Sequence, residues 1–454
     1  MALIWSKTAL TPEGWQDDVL IEVAASGRIS RVEPGQPAQG TRVDILLPAP
    51  VNAHSHAFQR AMAGLSERRG PDPCDSFWTW RQLMYRFLDK LRPQDVAAIT
   101  AFVQMEMLEA GFGASVEFHY LHHQPGGAPY DALAEMSAQI IAAAETSGIG
   151  LTLLPVHYQF GGCDQCALGP GQVRFGNDLD RFAMLWEDAR AGMKVLPKDA
   201  IMGAAPHSLR AVAKQDLARV AALSGTGPVH MHLAEQQGEV TEVEASWGAR
   251  PVQWMLDNVD VDGQWCLIHC TQMTGSETTG LARTGAVAGL CPITESSLGD
   301  GIFNATGWMA GQGAMAVGSD SNIRISLIEE LRTLEYSQRL RDQNRAILAT
   351  RDRSTGRFLF ETAVTGGAQA AGRGPSGLQP GAWADMLALD AGAADLVGRE
   401  EDTILDSFIF ASDHRVIRDV WSAGRHLVQD GRHIRHDTIR ADYIETLAHL
   451  RDVI

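Results

Sequence analysis

An α/β fold is what this sequence predicts: a closed (β/α)8, TIM-like barrel carrying a small β-sandwich domain formed by both chain ends. Two observations predict it. Eight short apolar runs between about residue 48 and residue 321 are each followed by an amphipathic, helix-like segment. Strands that are apolar on both faces and alternate with helices belong to parallel sheets. Outside that stretch the pattern changes to short strand-like segments broken by Gly, Pro and Asp, the mark of hairpins and turns. An open doubly wound sheet is the competing arrangement, but no G-x-G-x-x-G follows the first strand.

In chain order, residues 1–47 contribute ALIWSKTAL and DVLIEVAASGRISRVEPG to the small domain. The barrel runs follow as LLPAPVNAHSH, GASVEFHY, GLTLLPVHY, AIMGAAPHS, VHMHLAE, WCLIHC, AVAGLCP and MAVGSDS, and residues 48–377 are assigned to the barrel. LQPGAWADMLALD, TILDSFIFAS and VIRDVWSAGRHLVQDG then return the chain to the small domain, so 378–454 joins 1–47, with a helix from Thr438 to Ile454. Neither end offers a cluster of metal ligands or an acid–base pair, which makes the small domain structural. No internal repeat, low-complexity tract or long charge run is present.

The bulk numbers narrow the function. A chain of 454 residues that is 45% hydrophobic has ample material for a large core beside a smaller one. Its net charge of -17, from 55 acidic against 38 basic residues, repels phosphate backbones and anionic lipid, so neither nucleic acid nor a membrane is an expected partner. The first residues lack a basic segment followed by an apolar core, and no stretch of about 18 residues is continuously apolar, so a cytoplasmic protein is expected. Six cysteines in so long a chain make no disulfide framework. Cys163 and Cys166 form one C-x-x-C, CDQC, which without a second pair is weak evidence for zinc.

Chemistry in such a barrel gathers at the carboxyl ends of the strands. Strand one ends in His54 and His56, which at period two point to the same side. Strand five gives His230, His232 and then Glu235, strand six ends at His269, and strand eight ends at Asp320. Any one of these alone reads as a core residue bonded to backbone, or as a helix cap. Four strands that place such a group at the same end need a shared partner for it, and a divalent cation supplies one. His54, His56, His232 and Asp320 offer three nitrogens and one oxygen, a set suited to one Zn2+ with a position left open, although iron or manganese suits the same ligands. His230 shares the inward parity of His232 and is its rival; His232 is preferred for its three-residue offset from Glu235. None of the eight strands carries a lysine near its end that, once carboxylated, would bridge a second metal, since Lys194 and Lys198 precede strand four.

A bound divalent ion lowers the pKa of its water from near 16 to roughly 7, which supplies a hydroxide nucleophile at neutral pH. An amidine-like carbon, HN=CH–NH–R, is a poor electrophile until its imine nitrogen is protonated. Glu235 is expected as that acid, with His269 and Asp320 orienting the water and taking its proton.

These motifs, an H-x-H on strand one, an H-x-x-E on strand five, a His on strand six and an S-D pair on strand eight, resemble the amidohydrolase superfamily, in the mononuclear branch that contains adenosine, cytosine and guanine deaminases. The resemblance spans nearly the whole chain. NAHSHAFQRAMAG, FHYLHH, PHSLR, HLAEQ, IHCTQM, CPITESSLGDGIF and VGSDSNIRISLIEELRTLEY are similar to the N-formimino-L-glutamate deiminases of histidine breakdown. The resemblance implies the same roles for Glu235 and His269, a homodimer, and hydrolysis of N-formimino-L-glutamate to N-formyl-L-glutamate and ammonia. A small-molecule substrate with two carboxylates needs cations and donors on the pocket wall. The candidates are Arg210 and His207 in PHSLR, Arg81 in WTWRQLMY, Tyr120 at the end of strand two, and Gln59 three residues past His56. Trp78 and Trp80 leave open an aromatic platform for a heterocycle, and Asp300 and Asn304 shape a loop that borders the site. The alternatives are an aminohydrolase of a purine, pyrimidine or triazine ring and, from another class, an inactive barrel scaffold, which should have lost ligands that this chain keeps.

Overall fold

In the computed structural model, residues 2–67 and 77–451 are described, apart from the side chains of 77–79; Cys74 and the side chain of Trp78 fall outside the described residues. The first chain end forms strands β1 (Ala2–Thr11), β2 (Gly14–Val23), β3 (Ile29–Glu33) and β4 (Thr41–Pro48). The barrel strands follow: β5 (Val51–Asn52), β6 (Ala114–His119), β7 (Gly150–His157), an interrupted fourth strand made of β8 (Ile201–Met202) and β9 (Ala205–Pro206), β10 (Val229–Leu233), β11 (Trp265–His269), β12 (Val287–Leu290) and β13 (Ala314–Val317). Every pairing among them is parallel. Two sheets, β5-β6-β7-β8 with β9 on β7, and β10-β11-β12-β13, meet at both seams through parallel bridges, Ala204 to Val229 and Ser55 to Asp320. Ala53 N also donates to Val317 O at 2.9 Å. The ring is therefore closed, and the buried run along all of β6 and β7 is what a strand covered on both faces requires.

The amino-terminal mouth of the barrel is plugged by the end of the helix Thr355–Ala370. Thr152 Oγ1 donates to Ala371 O at 2.9 Å and His230 Nε2 bonds Ala370 O at 2.7 Å. This helix lies so close to β13 that a Cβ on Gly366 would stand 1.9 Å from Met315 O, so only glycine fits there.

The returning chain adds β14 (Met386–Leu389), β15 (Ile417–Ser422), β16 (Arg425–Gln429) and β17 (Arg432–His433). They join the first four strands in one eight-stranded sheet of order β17-β16-β15-β14-β4-β1-β2-β3. The sheet curls over itself: Arg28 bridges Trp383, and Ile29 N donates to Ala382 O at 2.9 Å. Its inner face encloses Ile4, Val19, Ile21, Ile29, Leu46, Met386 and Trp421, the sandwich core. The last helix, His436–Arg451, packs on a barrel helix, Pro93–Glu109, with the rings of Tyr443 and Phe102 stacked at 3.9 Å. Sheet and barrel are joined by ion pairs around the buried Asp199, which accepts from the half-buried Arg425 at 2.8 and 2.7 Å, while the buried Arg373 reaches both Asp199 and Asp385. Among the described residues no helix is long and apolar enough to cross a membrane.

Candidate active site

The chain from β5 runs straight into His54 and His56, β10 carries His232, and Asp320 follows β13. All four side chains are buried, and their ligand atoms lie within 4.8 Å of one another. His54 Nε2 stands 3.2 Å from His56 Nε2 and 3.0 Å from His232 Nε2; Asp320 Oδ1 is 3.5 Å from His54 Nε2 and 3.2 Å from His56 Nε2. Metal–nitrogen bonds of about 2.0–2.1 Å in a tetrahedron would set ligand atoms about 3.3 Å apart. The donor set therefore fits a divalent ion in type and in spacing. Burial pulls His54 down to about 3 and lowers His56, and His232 is held well below its ordinary value by burial and by the neighbouring His207, His54 and His56, so all three rings are neutral, the form that ligates. His56 Nδ1 faces Phe118 O at 2.9 Å, which puts the proton on Nδ1 and turns the Nε2 lone pair inward. His230, the rival ligand, points away from this centre to the Ala370 carbonyl.

The strand ends are fixed by side chains that bond backbone. Asn52 Oδ1 accepts from Ser319 N at 3.1 Å while its amide donates to Ser319 Oγ at 2.6 Å, and Asn322 ties Ser55 Oγ to Asp320 O. Glu117 accepts Ala57 N at 2.7 Å, and Glu239 accepts the amides of Ala234 and Glu235. At three strand ends the backbone leaves extended geometry: φ is +51° at Ala234, +71° at His269, +52° at Cys270, +46° at Asp320 and +54° at Asn322. Such conformations cost on the order of 1–3 kcal/mol each outside glycine and gather at functional sites.

Glu235 and His269 stand beside the four-residue centre. His269 Nε2 lies 3.9 Å from Glu235 Oε1 and 3.8 Å from Asp320 Oδ2, and its Nδ1 lies 3.3 Å from Glu295 Oε1. Glu295 also accepts Cys291 N at 2.8 Å, which anchors the carboxylate that orients the ring. Burial, together with the charges of Asp320 and Glu239, raises Glu235 to about 7 against the pull of His269. Burial opposes a charge on His269, yet Glu235, Glu295 and Asp320 together raise it well above its ordinary value. Burial would also raise Asp320, but His54, His56 and His269 hold it below the ordinary carboxylate range.

One cavity opens onto these groups. His56, His232, Glu235, His269 and Asp320 form its floor, and Gln59, Arg81, Tyr120, His207 and Arg210 are all on its wall. Gln59 Nε2 donates to Tyr120 Oη at 2.9 Å. Trp80 also lines it, whereas Asp300 and Asn304 do not. Asn304 caps the helix Ala305–Ala310, and Asp300 Oδ1 accepts from Gln236. Tyr85, Tyr158, Met84, Phe175 and Leu298 complete the wall and were not expected there. For Tyr158 a signal existed, since it follows strand three at the same barrel end as the other polar residues; Tyr85 gave none. Cys163 is buried and Cys166 exposed, and among the described residues neither belongs to a group of ligand atoms close enough to share an ion.

Comparison with known proteins places this geometry among relatives. Residues 45–427 match the amidohydrolase family, and residues 1–42 match the N-terminal domain of formimidoylglutamate deiminase HutF. The chain is 44% identical over the whole of both sequences to a formimidoylglutamate deiminase of Pseudomonas aeruginosa. It superposes on the crystal structure of an amidohydrolase from Brucella melitensis with a TM-score of 0.96 at 46% identity, covering 99% of this chain and 100% of that one. A zinc-bound adenosine deaminase from Xanthomonas campestris, 22% identical, shares the fold at a TM-score of 0.82 over 99% of this chain and 98% of its own.

Proposed function

The chain belongs to the amidohydrolase family, among its formimidoylglutamate deiminases, and from that premise we propose that it is a metal-dependent hydrolase converting N-formimino-L-glutamate to N-formyl-L-glutamate and ammonia in histidine degradation. The observation that carries this reading is a single cavity in which a three-histidine, one-aspartate centre and an acid of raised pKa face two arginines. A ring aminohydrolase needs no such cations, whereas a dicarboxylate does.

In this reading His54, His56, His232 and Asp320 hold one divalent ion, Zn2+ by ligand type. When bound, such an ion acts as a Lewis acid and brings the pKa of water from near 16 to about 7. Arg81 and Arg210 pair with the two carboxylates, and Gln59, Tyr120 and His207 donate to the substrate between them. Glu235, half protonated near neutral pH, delivers a proton to the imine nitrogen and makes the formimino carbon electrophilic. Asp320, kept ionised, receives the proton of the attacking water, and His269, held protonated by its carboxylate neighbours, orients that water as a hydrogen-bond donor. The proton taken from the water passes on to the terminal nitrogen, and collapse of the tetrahedral carbon, with loss of its hydroxyl proton, expels that nitrogen as ammonia. The protein works on this small molecule in the cytoplasm as a homodimer, a state that light scattering tests.

The test is ammonia release by the Zn2+-loaded protein from N-formimino-L-glutamate beside guanine, adenosine, cytosine and a triazine. Ammonia and N-formyl-L-glutamate in equal amounts are expected from the first, with none from the rings. Activity on a ring alone would overturn the reading, and formamide with glutamate as products would overturn the choice of bond.

A further inference from the structure

Tyr158, which follows β7, lines the cavity and is 2% exposed. Its ring is held against His207 at 4.5 Å and Phe175 at 5.5 Å between centroids. Its phenolic oxygen accepts from Arg81 Nη2 at 2.8 Å and from Gln172 Nε2 at 2.9 Å. Both partners are donors only. A guanidinium has no acceptor, and the Gln172 amide is turned by Gly169 N, which donates to Gln172 Oε1 at 2.9 Å and leaves the nitrogen facing the phenol. A phenol oxygen engaged twice as an acceptor still carries its proton, and neither of its two hydrogen bonds uses that proton.

We propose that Tyr158 is a specificity-determining donor, its O–H reaching the substrate carboxylate that Arg81 holds, with Gln172 as the positioning residue that keeps this proton turned to the cavity. Arg81 and Tyr158 are in direct contact, so the two oxygens of one carboxylate can take an N–H from the first and the O–H from the second, a charge-assisted pair. A ligand without that carboxylate leaves a buried donor unpaired, which is how a polar site rejects an analogue.

The inference rests on the deiminase reading, and the experiment separates the two. Ammonia release is followed from N-formimino-L-glutamate and from the N-formimino derivatives of 2-aminobutyrate and 4-aminobutyrate, each lacking one carboxylate. Tyr158→Phe should lower kcat/KM for the full substrate by about ten- to a hundredfold, through KM. On the analogue lacking the contacted carboxylate it should lose nothing. Gln172→Glu gives the phenol an acceptor of its own, diverts its proton and should lose a similar factor, which keeps the test open if the first variant folds poorly. Equal losses on all three compounds, or no loss on the full substrate, would overturn the contact while leaving the deiminase reading intact. An unsubstituted chain inert towards the full substrate would strike both.

Discussion

His230 and His232 lie two residues apart on one strand with the same inward parity, yet they belong to opposite regions of the barrel. At the plugged mouth His230 spends its Nε2 on the Ala370 carbonyl at 2.7 Å. At the open end His232 Nε2 faces His54 Nε2 at 3.0 Å, and His56 Nε2 and Asp320 Oδ1 gather within reach of the same pair. Both imidazoles are buried. The difference teaches that burial and residue type do not mark a site; the convergence of ligand atoms from several strands within 4.8 Å of one another does.

The strongest way to break that comparison is to exchange its members. His232→Ala, or Asp320→Ala, should abolish stoichiometric ion content and lower kcat by at least about 10⁴, because metal and orienting groups go together. His230→Ala should keep the ion and most of kcat while costing about 2–4 kcal/mol of stability, from a cavity and an unpaired carbonyl. Elemental analysis, ammonia release and denaturant unfolding on both proteins decide it, and equal ion loss in the two would erase the distinction. Next in size, Glu235→Gln should retain the ion and lose about 10²–10⁴ in kcat, separating the proton donor from the ligands. If Glu235→Gln also empties the centre, Glu235 is a ligand and the acid must be sought elsewhere.

The joint beneath the barrel gives the reverse case, charge that serves packing alone. Asp199 meets Arg425 and Arg373 where the sheet abuts the barrel. Burial raises it, but the two arginines hold it below the ordinary aspartate value, so its contribution is present above that value and is lost as the pH falls through its folded pKa. Asp199→Asn should cost about 1–3 kcal/mol in denaturant unfolding, since Arg425 loses its carboxylate while Arg373 keeps Asp385, with KM unchanged. A shift in KM would show that the joint reaches the site.

What was legible from the sequence follows the same line. The eight apolar runs and the polar residues that end them are local patterns, and the rule that chemistry sits at strand carboxyl ends turns them into one centre; Gln59, Tyr120, His207 and Arg210 fall on its wall by that rule, whereas Arg81, expected on a loop, reaches it from the helix Phe77–Leu88. Period-two parity cannot separate His230 from His232, because the two lie in successive layers of the barrel and only the Ala370 carbonyl, some 140 residues away, distinguishes them. Asn52, Glu117, Glu239 and Glu295 escaped notice because each accepts a backbone N–H, a role that leaves no motif. Tyr85 reaches the cavity from the helix Phe77–Leu88, and where that helix docks is a tertiary fact. The curl of the small sheet depends on a similarly distant pairing, Arg28 with Trp383.

The smallest expected effect concerns a histidine at the open end that belongs to no centre. His157 ends β7, packs against Phe182 at 4.8 Å between centroids, and is lowered to about 4 by burial, with Asp216 and Asp178 pulling the other way. Unfolded, it titrates near 6.5. Above that pH both states are neutral at this residue and its contribution to stability is complete. As the pH falls toward 4 the unfolded chain gains a proton that the folded one refuses, and stability drops on the order of 1 kcal/mol per pH unit. His157→Gln removes the proton and keeps a polar side chain, so urea unfolding measured from pH 7 to pH 4.5 should show a shallower decline than in the unsubstituted protein, with the same ion content. Parallel curves would mean that His157 holds its proton when folded, and burial at the open end would then no longer suffice to keep an imidazole neutral without a cation to share it.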